Sequence, residues 1–574
     1  MTNSDVEYIL GIHQSGPISS AAILRNGELV AGIAEERITR IKHDRNFPHN
    51  AIDFCLNSCG IDIGSINQIA IGWNPGENVA LKYKDGFSQW MRYPGEFLSS
   101  VPNNLLPLYD NNIISTSTIF EGIHKEKTTI HFIDHHMSHA RLAYDVAGKS
   151  ECAIIVVDGW SEQKVTTWMH AKDGEIKIIK KEVFPNSIGC FYAAITDFLG
   201  YKVFQDEWKI MGMAAYGNAK KIPQISELIH IQPEGSYELN LSYFDFYNFD
   251  RSGFFSSKME SLLGPKRKFG EKLLQRHFDI AAACQHLFQE VMDNACSHLY
   301  ESTGCDTISI AGGAAMNCLY NGSITKNTKF TNCSVSFAPD DSGNSIGSAL
   351  EVAYRNKIKV NMKNQTSAIG IEFSDEQIGR ILDNYKVKYR ISKNIAEDTA
   401  EFLACNKVVG WFQGKSEFGQ RSLGHRSILA SPLKQEMKDI LNKSIKFREL
   451  YRPFAPMILK ERVNDYFDTQ QDNQCYYMEK AWKYKKNVIS LVPATVHEDE
   501  TGRLQIVDKK REPLLHELLI AFEKKTGIPL VINTSFNLNG EPIVNNVEDA
   551  LRTFFTSGLD ILVCGHFIIE KGYI

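Results

Sequence analysis

Two histidines, His135 and His139, stand four residues apart in the stretch Asp134-His135-His136-Met137-Ser138-His139. On a helix, residues so spaced share a face, so both imidazoles can reach one cation. Asp158 closes the apolar run Ala153-Ile154-Ile155-Val156-Val157 and precedes Gly159. Such a run reads as a buried strand, and a carboxylate at its end points into a cleft. Two nitrogens and one oxygen suit a transition metal and leave positions open for substrate. The plainer alternative is two surface histidines and a turn aspartate.

A second constellation lies in the C-terminal half. Residues 414–432 interleave glycines and serines with Lys415, Arg421 and Arg426. Residues 442–456 add Asn442, Lys443, Lys446, Arg448 and Arg452, ending in Tyr451-Arg452-Pro453-Phe454-Ala455-Pro456. Near the end, Leu530-Val531-Ile532 leads into Asn533-Thr534-Ser535-Phe536-Asn537 and then Gly540-Glu541-Pro542. Arginine and lysine with hydroxyls and backbone amides can bind several phosphates at once. The alternative is a solvated basic surface. These cations are interleaved with glycine, proline and aromatics, which favours an anion site.

The elements that must position these groups follow from periodicity. Residues 8–35 read strand, turn, strand, turn: Tyr8-Ile9-Leu10-Gly11-Ile12, then Ala21-Ala22-Ile23-Leu24, a turn at Asn26-Gly27, and Leu29-Val30-Ala31-Gly32-Ile33-Ala34. This spacing predicts a hairpin. A second unit opens near Ala153 with the same arrangement, continuing through an Asp-Gly turn to Val165-Thr166-Thr167-Trp168-Met169. Two such openings suggest a duplicated α/β fold with a cleft between halves, similar to the actin-like ATPase and sugar-kinase superfamily. Residues 277–302 carry an apolar stripe of Ile280, Cys284, Leu287, Val291, Ala295 and Leu299, which predicts a helix. Thr307-Ile308-Ser309-Ile310-Ala311 is a strand running into Gly312-Gly313, where backbone amides can approach a phosphate or simply make a packing turn. Asp340 and Asp341 offer a further carboxylate at a strand end. Polarity rises at 355–366, which marks a linker, and a second domain opens on a helix near 375–384 with Ser374 as its cap. The expected division is 1–360 and 366–574.

The chain has 574 residues, 43% hydrophobic and 23% charged, enough for more than one core. A net charge of −5 without a long basic run disfavours nonspecific nucleic-acid binding. Its twelve scattered cysteines form no Cys-x-x-Cys pair, which predicts reduced thiols, a cytoplasmic location and no zinc finger. There is no apolar stretch of about 20 residues, so no membrane span is expected. The broken first apolar stretch does not read as a signal peptide.

With these residues in view, the chain resembles the O-carbamoyltransferase family of the nodulation-factor, aminoglycoside, cephem and ansamycin carbamoyltransferases. The likeness covers essentially the whole chain. It rests on Glu35-Glu36-Arg37 to Lys42-His43, on His135 and His139, on Asp158-Gly159, and on Asp206-Glu207-Trp208-Lys209-Ile210-Met211-Gly212. It continues through 312–317, Gly419-Gln420-Arg421-Ser422-Leu423-Gly424, 452–456 and 533–537. The hydrogenase-maturation carbamoyltransferase is a more distant relative, with zinc-finger and acylphosphatase modules that this chain lacks.

The resemblance implies an N-terminal actin-like domain that transfers the carbamoyl group. It also implies a C-terminal α/β domain similar to the tRNA-modification protein that makes a carbamoyl-adenylate-type intermediate. Carbamoyl phosphate and ATP would give carbamoyl-adenylate, phosphate and pyrophosphate, and an acceptor hydroxyl would then displace AMP. By the same likeness His135, His139, Asp158 and Asp341 are ligands of an iron(II)-like metal, with Asp340 the alternative fourth ligand. Arg421, Lys446, Arg448 and Arg452, with Ser535 and Asn537, bind carbamoyl phosphate and ATP, and Mg²⁺ accompanies the ATP. Lys209, Gly312, Gly313 and Asn317 contact nucleotide, with Lys209 also a catalytic candidate. His13 is the candidate base for the acceptor hydroxyl. Expected partners are carbamoyl phosphate, ATP and a small-molecule acceptor, such as an antibiotic or other secondary metabolite, with no nucleic acid and no membrane; a homodimer is a further expectation.

The chain departs from the family pattern at two places. Relatives carry a second His before the Ser-Ala-Ala stretch, where this chain has Ser15-Gly16-Pro17-Ile18-Ser19, and Ser161 stands where they have Gly. Either His13 suffices or the acceptor end has been rebuilt. Two competing readings are a tRNA threonylcarbamoyladenosine-type enzyme, which the acidic charge disfavours, and a non-catalytic nucleotide-binding regulator. The acceptor is not legible. Residues 75–130 and 240–265, with Trp90, Tyr93, Tyr243, Phe244, Phe246 and Tyr247, either shape its pocket or pack over the core.

Overall fold

Tyr8–His13 (β1) and Ser20–Arg25 (β2) pair antiparallel, with Gly11 opposite Ala22 and His13 opposite Ser20. Asn26 and Gly27, both left-handed at φ 51° and 79°, turn the chain into Glu28–Ala34 (β3), the two-residue hairpin expected from their residue types. This computed structural model describes residues 6–74, 115–120, 128–248, 251–362, 365–449, 451–469 and 474–571. Trp90 and Tyr93 lie outside the described residues.

The first sheet adds Gln68–Ile71 (β4), Ser115–Phe120 (β5) and Thr128–Ile133 (β6), in the order β3-β2-β1-β4-β6-β5. β4 runs parallel to β1, and β6 parallel to β4. A second sheet is built from Glu151–Val157 (β7), Lys164–Lys172 (β8), Glu175–Val183 (β9), Thr307–Ala311 (β10) and Asn332–Val335 (β11). Its order is β11-β10-β7-β8-β9. β7, β8 and β9 form an antiparallel meander, while β10 and β11 add in parallel on the other side of β7. Each sheet therefore has three consecutive strands with two further strands added in parallel beside the first of them, and β5 adds antiparallel at the edge of the first sheet. This is the duplicated actin-like α/β arrangement. The first strand of each repeat ends on a residue singled out for chemistry: β1 ends at His13, and Asp158 follows β7.

The parallel pairing of β7 with β10 needs a long crossover, which includes the helix Gln275–Thr303. Ile280, Cys284, Leu287, Val291, Ala295 and Leu299 on that helix are all buried, as their spacing predicted. A second helix, His135–Ala147, starts two residues after β6. Asp134 caps it, with its Oδ1 accepting from the Met137 amide at 2.8 Å.

The chain divides into two units by contacts, residues 1–30 with 45–363 and residues 31–44 with 364–574. No single cut reproduces this division, because residues 31–44 group with the C-terminal part. The helix Asp375–Asn384 opens with a capping box between Ser374 and Gln377. An eight-stranded mixed sheet forms the body of the C-terminal unit. Its central strands include Val409–Phe412, Arg426–Ala430, Ala455–Leu459 and Leu530–Ser535. Alternation sends Trp411, Leu429, Met457 and Val531 into one core, and Phe412, Ile428 and Ile532 into another. Both faces are covered, so these strands are apolar on both sides, and Ser535 ends one of them.

Candidate metal centre and anion site

The helix His135–Ala147 places His135 and His139 one turn apart on one side, with their Nε2 atoms 3.2 Å from each other. Asp158 arrives from the end of β7 and Asp341 from the turn before the helix Asn344–Arg355. Asp158 Oδ2 lies 3.3 Å from His135 Nε2 and 3.1 Å from His139 Nε2. Asp341 Oδ1 lies 3.4 and 3.5 Å from the same two atoms. The four donor atoms lie within 4.8 Å of one another. Four ligands about 2.0–2.2 Å from a single ion stand at such separations from each other, so the set fits a first-row divalent metal. Asp341 joins this cluster, whereas Asp340 accepts from the Ser342 hydroxyl at 2.6 Å.

The electrostatics of the four groups are strongly coupled. Burial pushes the His135 and His139 pKa values down, but hydrogen bonds to the Asp158 and Asp341 carboxylates outweigh it and hold both above the ordinary value. Burial raises the two carboxyls, yet contact with the imidazoles keeps both below the carboxylate range. Two buried carboxylates thus draw protons onto two histidines in the place where a metal would carry the charge.

The surroundings orient the ligands. Asp158 Oδ1 accepts from the Gly159 amide at 2.9 Å and the Gly313 amide at 3.2 Å, which leaves Oδ2 for the histidines. Gly312 makes this possible: at φ 88° a Cβ there would lie 2.3 Å from the Val157 carbonyl oxygen. The 312–313 turn therefore serves Asp158. Asn317 exchanges two hydrogen bonds with Gln285 at 2.9 and 3.1 Å and caps the short helix that follows. Glu162 Oε1 accepts from the His135 amide at 3.0 Å and the Asn74 amide at 2.7 Å. Lys164 Nζ pairs with Asp134 Oδ2 at 2.5 Å, with both side chains at most 2% exposed. In the sequence, Glu162 and Lys164 show only as two charged residues beside an otherwise apolar strand.

His13 is fully buried, its ring centroid 5.6 Å from that of His135. Burial lowers its pKa to about 3, so the imidazole is neutral. Gly16 backs onto the metal cluster, and a Cβ there would lie 1.9 Å from Asp341 Oδ2. The Ser15-Gly16-Pro17 stretch thus packs on Asp341. Ser161 closes the turn before β8 by donating to the Lys164 carbonyl at 2.8 Å. Lys209, on the helix Glu207–Ala214, pairs with Asp206 at 3.0 Å and lies over the Tyr201 and Trp208 rings. Phe244 and Phe246 are buried and pack against Phe191, Phe184 and Phe254, so these two belong to a core. The exposed Tyr243 hydroxyl donates to Glu227, and Tyr247 packs edge-on against Phe246. A second trio of donors, Glu151, His170 and Cys305, is a different case. Glu151 is already paired with His170 at 2.8 Å and Lys172 at 3.3 Å at exposed strand ends, which is a surface ion-pair arrangement.

The C-terminal unit gathers charge of the opposite sign. A π-helical turn, Leu441–Ile445, is followed by Phe447 at φ 47°. This irregular path brings Lys446, Arg448 and Arg452 close enough to disturb one another. Lys446 Nζ donates to the Ser535 carbonyl, to Asn537 Oδ1 at 2.8 Å and to the Asn537 carbonyl at 3.0 Å. Ser535 Oγ donates to Asn537 Oδ1 at 2.7 Å. Arg448 Nε donates to Asn442 Oδ1 at 2.7 Å, with its guanidinium over the Phe454 ring at 4.7 Å. Arg452 lies 3.4 Å from Glu449. Burial, then Arg448, Arg452 and Lys42, hold the Lys446 pKa well below the lysine value. Burial, Arg452 and Arg503 do the same to Arg448. Clustered cations that depress one another want an anion. Arg421 stands on the 419–424 turn, which Glu417 organises by accepting from the Leu423, His425 and Arg426 amides at 2.8, 2.9 and 3.0 Å.

The chain thus carries a buried two-histidine, two-carboxylate cluster in one unit and crowded cations in the other, the kind of groups used by group-transfer enzymes. Comparison with known sequences gives the family. The carbamoyltransferase N-terminus description matches residues 8–350 and the carbamoyltransferase C-terminus description matches 400–571. The nodulation protein NolNO of Sinorhizobium fredii is 32% identical over 96% of this chain and 78% of its own length. The uncharacterized protein sll1178 of Synechocystis is 32% identical over 98% of this chain and 97% of its own. Among solved structures, a ROK family glucokinase from Streptomyces griseus is similar at 10% identity, over 61% of this chain and 99% of that one, with a TM-score of 0.26. The chain belongs to the carbamoyltransferase family and is an enzyme of that type. Membership implies carbamoyl phosphate as donor and an acceptor substrate. Among the described residues, no helix is long and apolar enough to cross a membrane.

Proposed function

We propose that the enzyme is an ATP-dependent O-carbamoyltransferase whose two steps occupy two sites. The observation that carries this reading is the opposite charge of the two clusters, each in its own unit: a donor set for a cation around His135 and His139, and crowded cations around Lys446. In the first step, water cleaves carbamoyl phosphate to carbamate and phosphate. A carbamate oxygen then attacks the α-phosphorus of ATP, and pyrophosphate leaves. Arg421, Lys446, Arg448 and Arg452 neutralise the phosphates, Ser535 and Asn537 fix Lys446, and Mg²⁺ accompanies the ATP. The logic is chemical. Carbamate alone would have to expel oxide, whereas its adenylate expels AMP. Both intermediates are labile in water, so making and using them in one polypeptide limits their loss.

In the second step, an acceptor hydroxyl attacks the carbamoyl carbon of the adenylate and AMP leaves. His13 takes the hydroxyl proton; its buried imidazole is neutral and stands beside the His135 ring. His135, His139, Asp158 and Asp341 would hold a divalent metal of the Fe(II) type, which when bound supplies Lewis-acid polarisation and an anchor for phosphate. The Gly159 and Gly313 amides fix the Asp158 carboxylate for that role. Lys209 and the 312–317 segment are proposed to support the nucleotide, the latter through Asp158. The acceptor is a hydroxyl-bearing small molecule of the secondary-metabolite kind, and the enzyme acts in the cytoplasm. The N-terminal transfer domain spans 1–360 and the adenylating domain 366–574, the latter completed by residues 31–44. The test is pyrophosphate release from ATP without acceptor. Release that depends on carbamoyl phosphate supports the scheme; ATP binding with no release, even when acceptors are added, contradicts it.

A further inference from the structure

Residues 35–44 come early in the chain, yet by their contacts they belong to the C-terminal unit. The segment opens with the short helix Glu35–Thr39 and turns at Arg40, whose backbone is left-handed at φ 63°. Its two arginines reach two different loops. Arg37 is 3% exposed, and its Nη2 donates to the Gly419 carbonyl at 2.9 Å, two residues before Arg421. Burial lowers the Arg37 pKa while Glu417 and Glu36 oppose the shift, which places Glu417 in its field. The same Glu417 carboxylate gathers three backbone amides of the 419–426 turn. One arginine and one carboxylate thus hold that turn from both its carbonyl and its amide side.

Arg40 grips the second loop. Its Nη2 donates to the Pro542 carbonyl at 2.8 Å and its Nη1 to the Ile543 carbonyl at 2.6 Å, while its Nε lies 3.3 Å from Asp549. The next carbonyl back, that of Glu541, accepts from Asn537 Nδ2 at 2.7 Å. Asn537 Oδ1 in turn accepts from Lys446 at 2.8 Å. A continuous line of contacts runs from Arg40 to the central lysine of the cation cluster. The planar guanidinium suits this task, since its fork spans adjacent carbonyls that an ammonium cannot bridge. Lys42, two residues further on, is exposed, and its charge is among those that disturb Lys446.

We propose that residues 35–44 are a working part of the C-terminal anion site. Arg37 and Arg40 are positioning residues for the loops that carry Arg421 and Asn537. The inference rests on the reading of that site as the place where carbamoyl phosphate and ATP bind.

The test uses full-length Arg40→Ala, Arg40→Lys and Arg37→Lys beside the wild type. Pyrophosphate release gives KM and kcat for carbamoyl phosphate and for ATP, calorimetry gives the binding of each, and metal content reports on the N-terminal cluster. Loss of hydrogen bonds from a charged donor predicts a rise in KM of about tenfold or more for Arg40→Ala. Arg40→Lys should recover only part of it, and Arg37→Lys should raise KM by a smaller factor. Metal content should not change in any of them. Wild-type KM and affinity in Arg40→Ala would overturn the inference. Should Arg40→Ala not fold, Arg40→Lys decides it, and wild-type KM and affinity there would overturn the inference equally. If the wild type itself binds neither carbamoyl phosphate nor ATP, the reading of the site falls, and this inference with it.

Discussion

The two clusters of this enzyme are built in opposite ways. The N-terminal one joins four candidate ligands carried by regular elements: a helix, a strand end and a short turn before another helix. Its carboxylates are buried, and they hold protons on imidazoles where a metal would sit. The C-terminal cluster stands on a π-helical turn, a left-handed phenylalanine and loops, and its cations are held by carbonyls and amide side chains. A metal site needs ligand atoms fixed to within a few tenths of an ångström, which helices and strands provide. A site for a flexible triphosphate can be made of loops, provided something ties them down. Glu417, Arg37 and Arg40 do that tying.

The sharpest way to break this comparison is to remove one ligand. His139→Ala should abolish carbamoyl transfer and metal content while leaving pyrophosphate release intact, read by product analysis and elemental assay. Close behind, Gly16→Ala forces a methyl against Asp341 Oδ2 and should lower metal content and transfer together, with the C-terminal reaction unaffected. Lys164→Met removes the partner of the Asp134 cap and leaves a buried carboxylate. It should weaken metal binding by about 10- to 100-fold, measured by competitive titration with a chelator. The smallest effect concerns stability. Burial raises the Asp145 pKa to about 7. A raised carboxyl favours the folded state while protonated, so its contribution is present at low pH and is lost as pH climbs from the unfolded value, about 3.9, through 7. Asp145→Asn should therefore raise the melting temperature by a few degrees at pH 8 and scarcely at pH 4.5. An equal gain at both pH values would mean the carboxyl is not perturbed.

Much of the metal cluster was legible in the sequence because its signals are local. A four-residue histidine spacing and an aspartate closing an apolar strand are short-range patterns, and the helix and strand they predicted are present. The hairpin turn at Asn26-Gly27 and the Ser374 cap were readable for the same reason. The cations of the C-terminal half were visible as composition, but their mutual approach depends on a π-helical turn that no residue pattern announces. The placement of Arg37 and Arg40 was not readable at all, since each meets partners more than 380 residues away. The glycines at 312–313, read as a turn whose amides could approach a phosphate or simply pack, orient Asp158, a contact between distant segments that no local pattern shows.

The central claim is that the two clusters divide two steps between them. The most direct test measures carbamoyl-phosphate-dependent pyrophosphate release and acceptor carbamoylation side by side in His139→Ala and Arg452→Ala. The account predicts that His139→Ala releases pyrophosphate at close to the wild-type rate and forms no carbamoylated product. It predicts that Arg452→Ala loses pyrophosphate release by on the order of 10²- to 10³-fold while keeping its metal and accepting added carbamoyl-adenylate. Loss of the same step in both variants would contradict it.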